Sequence, residues 1–183
     1  MLQENFTIFP TLTTKRLTLR RLTTEDSKQI YILRSDEKLN KYIIRQKINT
    51  VNEAIEFINM IDVGVNLNQW YYWALSLKSD NTLIGTICLW NINIEGSCVE
   101  IGYELLPRFH GKGFMNEALS AVILFGSSEL KFSTIVAYTN ASNIKSTNIL
   151  EKNNFKRDMT LENNFSYKEG LVNTIIYSLQ APV

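Results

Sequence analysis

The residues best placed to do chemistry lie together in Leu105-Leu106-Pro107-Arg108-Phe109-His110-Gly111-Lys112-Gly113-Phe114-Met115. An apolar strand is expected to run into this loop and an amphipathic helix to run out of it. At a helix start the first backbone N–H groups have no carbonyl partner within the helix, and the macrodipole adds partial positive charge there. Phosphate oxygens are therefore held without a dedicated side chain. Gly111 and Gly113 lack a Cβ, take positive φ freely and let a bulky phosphate approach. Arg108 and Lys112 add cationic side chains at the rim. The chemistry predicted from this stretch is the cradling of a pyrophosphate.

Spacing separates three kinds of phosphate loop. A nucleoside-triphosphate loop needs Ser or Thr after Gly-Lys to reach the metal, and here Gly113 is followed by Phe114. A dinucleotide fingerprint needs a third small residue where this chain has Asn116, and it should open a βαβ unit rather than lie past mid-chain. The remaining pattern, Arg/Gln-x-x-Gly-x-Gly/Ala, is met by Arg108, Gly111 and Gly113. It resembles the acetyl-CoA pyrophosphate loop of the GNAT N-acetyltransferase superfamily. A second segment, Asn143-Ile144-Lys145-Ser146, resembles that family's Asn-x-x-Ser helix, and its spacing puts Asn143 and Ser146 on one helical face. The family's Lys-x-Gly-Phe helix ending appears as Lys152-Asn153-Asn154-Phe155, with Asn154 for glycine, a residue that tolerates the left-handed conformation. Thr14 to Leu22 and Val99-Glu100-Ile101-Gly102-Tyr103-Glu104-Leu105 resemble strands of the RimJ/RimL-like branch, which includes N-terminal acetyltransferases of ribosomal proteins.

The resemblance implies an acetyl-CoA-dependent N-acetyltransferase that uses no metal. CoA would be held by Leu105, Arg108, Phe109, His110, Gly111, Lys112, Gly113, Phe114, Met115, Asn143 and Ser146. A backbone N–H of the strand before the loop would serve the oxyanion. Many family members protonate the leaving thiolate with a Tyr seven residues beyond the motif Asn, but that position is Leu150 here. Ser146 therefore becomes the candidate acid. Glu100 and Glu104 are candidate bases on one strand face, and Tyr103 points the other way as a further candidate. Each has a bland alternative. The carboxylates can be solvated strand residues, Tyr103 a packing aromatic, Asn143 only an N-cap, and His110 a loop residue whose ring is idle. An α-amine titrates near pH 8 and needs only modest help from a base, which suits an N-terminal acceptor; a small-molecule amine is the other option. A CoA-binding module without transferase activity is the alternative that Leu150 suggests.

The elements that must position these groups follow in a mixed α/β order. The expected architecture is a single GNAT-like domain over residues 1–183, with a largely antiparallel central sheet flanked by helices and splayed at the strand pair around the loop. Thr23 or Thr24 should cap a helix to about Arg34, and Thr50 with Glu53 the next, whose stripe is Val51, Ala54, Ile55, Ile58 and Ile61. Trp70 to Lys78 and Leu83 to Asn91 form a hairpin over Ser79-Asp80-Asn81. Met115, Ala118, Leu119, Val122 and Phe125 mark the buried face of the helix after the loop. Ser133 to Thr139, Phe155 to Leu161 and Val172 to Leu179 are the expected last strands.

Composition bounds the partners. With 183 residues, 45% of them hydrophobic and 20% charged, the chain has ordinary globular make-up. A formal charge of +1 gives no global field for nucleic acid or anionic membrane, so any anion site must be local. The aromatic run Trp70 to Trp73 reads as core and cleft wall rather than a base-stacking platform. No stretch has the length of a membrane span, and the chain reads as cytoplasmic, a monomer or homodimer. Cys88 and Cys98, on adjacent predicted strands, read as reduced packing residues, and with one His they form no metal cluster. Lys41 and Arg45, with little acidic charge nearby, argue against a polycationic acceptor.

Overall fold

Alternating apolar and polar residues in Leu17-Thr18-Leu19-Arg20-Arg21 make a strand with one buried face, and the same rule repeats along the chain. The computed structural model describes residues 9–43, 45–95, 97–164 and 173–180. It opens with β1 (Leu12–Thr13) and β2 (Leu17–Arg21), followed by the helices α1 (Ser27–Ser35), α2 (Glu37–Asn40) and α3 (Val51–Asn66). The meander β3 (Tyr71–Leu77), β4 (Leu83–Asn93) and β5 (Cys98–Leu105) leads through a short turn at Pro107–Phe109 into α4 (Phe114–Ser128). Then come β6 (Thr134–Asn140), α5 (Ile144–Lys152), β7 (Lys156–Arg157), α6 (Met159–Asn164) and β8 (Thr174–Gln180).

Local chemistry explains the boundaries. Asp26 accepts from the Thr23 N–H at 3.0 Å, and the Thr50 hydroxyl accepts from the Glu53 N–H at 3.1 Å, so the expected caps are in place. Asn81 and Asn154 both sit at positive φ, at 56° and 65°, where their side chains are tolerated. α2 was not evident from the sequence; Asp36 caps its single turn by accepting from the Lys38 and Leu39 N–H groups.

The strands form one sheet in the order β1-β2-β3-β4-β5-β6-β8-β7. Every neighbouring pair is antiparallel except β5 and β6, which run parallel with α4 as their crossover. That parallel pairing lasts only from Cys98↔Thr134 to Glu100↔Val136. Beyond it, β5 stays on β4 as far as Leu105, and β6 stays on β8 as far as Asn140. The sheet is thus split by a wedge-shaped gap, as the expected splay requires.

One face of the sheet carries α4, whose Leu119, Val122 and Phe125 pack with Trp73, Ile87, Leu89 and Ile135. The other carries α1 and α3, whose Ile30, Leu33 and Ile58 pack with Tyr72 and Ala74. Trp73 is completely buried, and the Trp70 ring covers Gly64, so the aromatic run is core as expected. Val51, placed in the α3 stripe, is 37% exposed because the first turn of α3 overhangs the core.

One expectation is corrected. Phe155 to Leu161 is not a strand: pairing stops after Arg157, and Asp158 caps α6 by accepting from the Leu161 N–H at 3.0 Å. Cys88 and Cys98 lie on adjacent strands but are not neighbours. Cys88 pairs with Gly102 and Cys98 with Asn93, which leaves the two about 13 Å apart along β5. Val172, expected to begin the last strand, lies outside the described residues.

Candidate active site

The glycine loop lies at the mouth of the gap and takes the conformation its sequence demands. Gly111 and Gly113 have φ of 73° and 77°. A Cβ on Gly111 would meet no atom within 4 Å, and on Gly113 it would meet only the Arg16 guanidinium at 3.4 Å. The space above Gly111 is thus unfilled by protein. Gly113 is the N-cap of α4 and supplies no side-chain cap, while the first intrahelical bond runs from the Glu117 N–H to the Gly113 carbonyl. The N–H groups of the first turn of α4 have no carbonyl partner within the helix, and a helix start of this kind can take phosphate oxygens.

Around the cradle the side chains brace one another. His110 Nε2 lies 2.7 Å from the Leu105 carbonyl, and Nδ1 lies 3.4 Å from Lys145 Nζ. With Nε2 donating to the carbonyl, Nδ1 is left to accept from Lys145. The ring that reads as idle in the sequence therefore ties the loop to β5 and brings Lys145 of α5 beside it. Phe109 and Phe114 meet edge to face at 6.1 Å, with the Arg108 and Lys112 cations near the Phe109 ring. Met115 is buried beneath the first turn of α4, and Leu105 closes the end of β5. From behind, the Glu117 carboxylate accepts from Thr14 Oγ1, the Arg16 N–H and Arg16 Nε, and Arg16 also donates to the Lys112 carbonyl at 2.9 Å. Arg16 and Lys145 are the loop partners that sequence reading missed; Lys145 lies inside the Asn-x-x-Ser segment and was there to be noticed.

Across the gap α5 begins. Asn143 Oδ1 accepts from the Ser146 N–H at 3.3 Å, so Asn143 is an N-cap whatever else it does. The Ser146 hydroxyl lies 3.0 Å from the Tyr103 hydroxyl, joining the two halves of the split sheet. Burial pushes Tyr103 up to about 12, although its hydrogen bond with Ser146 favours the phenolate, so both hydroxyls are protonated at neutral pH. Leu150 is completely buried, pointing into the core and not at the gap.

The opposite face of β5 carries the two carboxylates, as the strand period predicts. Their surroundings differ. Burial pushes Glu100 up to about 7, against hydrogen bonds from Asn91 and Trp90 that favour its charge; Asn91 Nδ2 donates to it at 2.7 Å. Glu104 is committed elsewhere: Arg45 reaches it at 2.7 Å in an ion pair whose side chains are 14% and 8% exposed, and the Thr86 hydroxyl donates to it at 3.2 Å. Between them Gly102 lies close to Cys88 and Trp90, whose Sγ and Nε1 would be 3.1 and 3.6 Å from a Cβ placed there. Among the described residues there is no cluster of His, Cys, Asp and Glu that could hold a metal, and no described helix is long and apolar enough to cross a membrane.

Comparison with known proteins bears on this geometry. The sequence profile of the family described as "Acetyltransferase (GNAT) domain" matches residues 16–156. The chain is 30% identical over 169 residues to the uncharacterized N-acetyltransferase p20 of Bacillus licheniformis, covering 92% of this chain and 95% of that protein. It is 29% identical over 176 residues to the uncharacterized N-acetyltransferase YoaA of Bacillus subtilis strain 168, covering 96% and 99%. Among solved structures, Mycobacterium smegmatis RimJ in complex with CoA-disulfide shares the fold, with a TM-score of 0.82 at 14% identity over 94% of this chain and 88% of that one.

Proposed function

This chain belongs to the GNAT acetyltransferase family, and from that premise we propose that it transfers the acetyl group of acetyl-CoA to a primary amine by direct attack in a ternary complex. The observation that carries the reading is the division of labour across the gap. One face of β5 offers a carboxylate of raised pKa, and the other offers a pair of protonated hydroxyls. The unfilled cradle at Gly111 and the first turn of α4 suits the pyrophosphate of CoA, and a solved neighbour, RimJ, is held with a CoA-disulfide.

In this reading Arg108, Lys112 and Lys145 surround the phosphates, while the backbone of Phe109 through Met115 binds them. The thioester lies in the gap, where residues 101–105 of β5 have no strand partner on one edge and a free N–H can stabilise the tetrahedral oxyanion. The amine approaches on the Glu100 face and attacks the thioester carbon. Glu100, directly or through a water, takes the amine proton as the C–N bond forms. The C–S bond then breaks on the Ser146 face. The Ser146 hydroxyl, positioned by Tyr103, donates its proton to the leaving thiolate and regains one from solvent, to which Glu100 returns the amine proton. A protein N-terminal α-amine or a small-molecule amine is the acceptor class.

The test needs no acceptor at first. Calorimetric titration with acetyl-CoA should show binding, with NAD and ATP giving none. Release of free thiol on addition of amines should follow. Absence of acetyl-CoA binding would overturn the proposal.

A further inference from the structure

The face of the sheet that carries Glu100 also holds a guanidinium with no hydrogen bond among the described residues. Arg34, in the last turn of α1, lays its guanidinium over the Phe57 ring of α3, 3.9 Å from the centroid. Its Nε is buried with no hydrogen-bond partner. Other half-buried arginines are matched: Arg20 with Asp26, Arg21 with Asp62, Arg45 with Glu104 and Arg157 with Glu162. Arg34 has no ion pair among the described residues. The carboxylate beside it, Glu104, is already taken by Arg45 and Thr86.

The balance of charge follows directly. Two guanidinium groups share one carboxylate, in a setting where burial and the neighbouring Arg45 both disfavour the charge of Arg34. A buried donor left unsatisfied is costly, more so when charged, and the fold tolerates that cost here without relieving it. An anion from outside would relieve it. The planar guanidinium, already placed over Phe57, is shaped for a carboxylate. The position is informative as well. Glu104 and Glu100 lie four residues apart on the same face of β5, about 13 Å. An amine at the gap and an anion at Arg34 are thus farther apart than the amine and carboxylate of an α-amino acid, and are spanned by a long ω-amino acid or by the first three or four residues of a peptide.

We propose that the acceptor is an amine that also carries a carboxylate, and that Arg34, backed by the Arg45–Glu104 pair, is the residue that binds the carboxylate and so determines specificity. This rests on the transferase reading above. The chemistry has two sources, an acidic residue near a peptide N-terminus or a free ω-amino acid, and the two arms of the experiment separate them.

Thiol release is measured with acceptors matched but for charge: peptides with Asp or Asn and with Glu or Gln at the third or fourth residue, and 8-aminooctanoate against its amide. In one arm at least, the carboxylate should be preferred tenfold or more in kcat/KM, mainly through KM. Arg34→Gln should collapse that ratio toward one, and Arg34→Lys should retain part of it. Arg34→Met, which keeps the stem on Phe57, stands in should Arg34→Gln not fold, and the CoA affinity of each variant reports its integrity. Amides used as well as acids in both arms, or a preference unchanged in Arg34→Gln, would overturn the proposal. Transfer to amines without carboxylate preference removes this inference alone, whereas failure of the wild type to bind acetyl-CoA removes the transferase reading with it.

Discussion

Glu100 and Glu104 share a face of one strand, yet only Glu100 lacks a cationic partner, and their chemistry diverges for that reason. With its pKa near 7, Glu100 gains the ability to accept a proton as pH rises through neutrality. The rate should therefore climb between about pH 6 and 8, and Glu100→Gln should abolish that climb along with most turnover. Stability runs the other way. The folded chain holds the Glu100 proton more tightly than the unfolded chain, so stability is lost as pH rises from the unfolded carboxyl pKa near 4.5 to about 7. Glu100→Gln should then be more resistant to denaturant than wild type at pH 8, by about 1–3 kcal/mol. A variant less stable at pH 8 would show that the carboxylate is not strained by burial. For the Ser146–Tyr103 pair, Ser146→Ala should lower kcat at least tenfold and cost less acetyl-CoA affinity than Gly111→Val, since the hydroxyl serves chiefly the leaving group. Unaltered kcat would remove Ser146 from the reaction. At this scale the sequence revealed the types and faces of these residues through the strand period. It did not reveal which carboxylate is free, because Arg45 and Arg34 reach Glu104 and its surroundings from elements remote in sequence.

The cradle belongs to the scale of elements, where a strand end, a loop and a helix start must hold one geometry. A side chain at Gly111 would project into space that protein does not fill, so Gly111→Val should cost only the strain of positive φ, about 1–2 kcal/mol. Acetyl-CoA affinity should fall far more, by tenfold or beyond, because the ligand needs that space. Equal affinity in calorimetry would contradict the cradle. Behind the loop, Glu117 is the buttress. Burial raises its pKa, but hydrogen bonds from Thr14 and Arg16 outweigh that and hold it below the ordinary carboxylate value. Its contribution is complete above the unfolded pKa and vanishes as pH falls through the lower folded one. Glu117→Gln should therefore weaken acetyl-CoA binding at pH 7 without touching a ligand atom, and the penalty should shrink in acid. Local signals made most elements legible, notably glycine at the loop, asparagine at left-handed turns and Thr-x-x-Glu at a cap. They failed at Phe155 to Leu161, where Asp158 starts a helical turn that the alternate apolar residues Phe155, Met159 and Leu161 obscure, and at α2, too short for any periodicity.

At the scale of the whole molecule, the sheet is two sheets joined at a short seam. β5 and β6 pair only through residues 98–100 and 134–136, and beyond the seam the halves meet through side chains such as Tyr103 and Ser146. The sequence hinted at the split only by resemblance, since each half has ordinary strand patterning and a missing ladder leaves no local signature. A ligand spanning the gap must then couple the halves. Ligand present at a hundred times its Kd stabilises the folded state by about 2.7 kcal/mol, which for a chain of this size raises Tm by roughly 5–10 °C. The location of the gain discriminates more sharply than its size. Amide exchange should slow most along the walls of the gap, in residues 101–105, 137–140 and the first turn of α5, and least in β2 and β3, which never border the gap. CoA without the acetyl group should give nearly the same pattern, because the cradle and the walls of the gap, not the acetyl carbon, supply the coupling. Protection confined to the glycine loop would mean that the ligand grips only by its phosphates and that the wedge between β5 and β6 is not where the thioester lies.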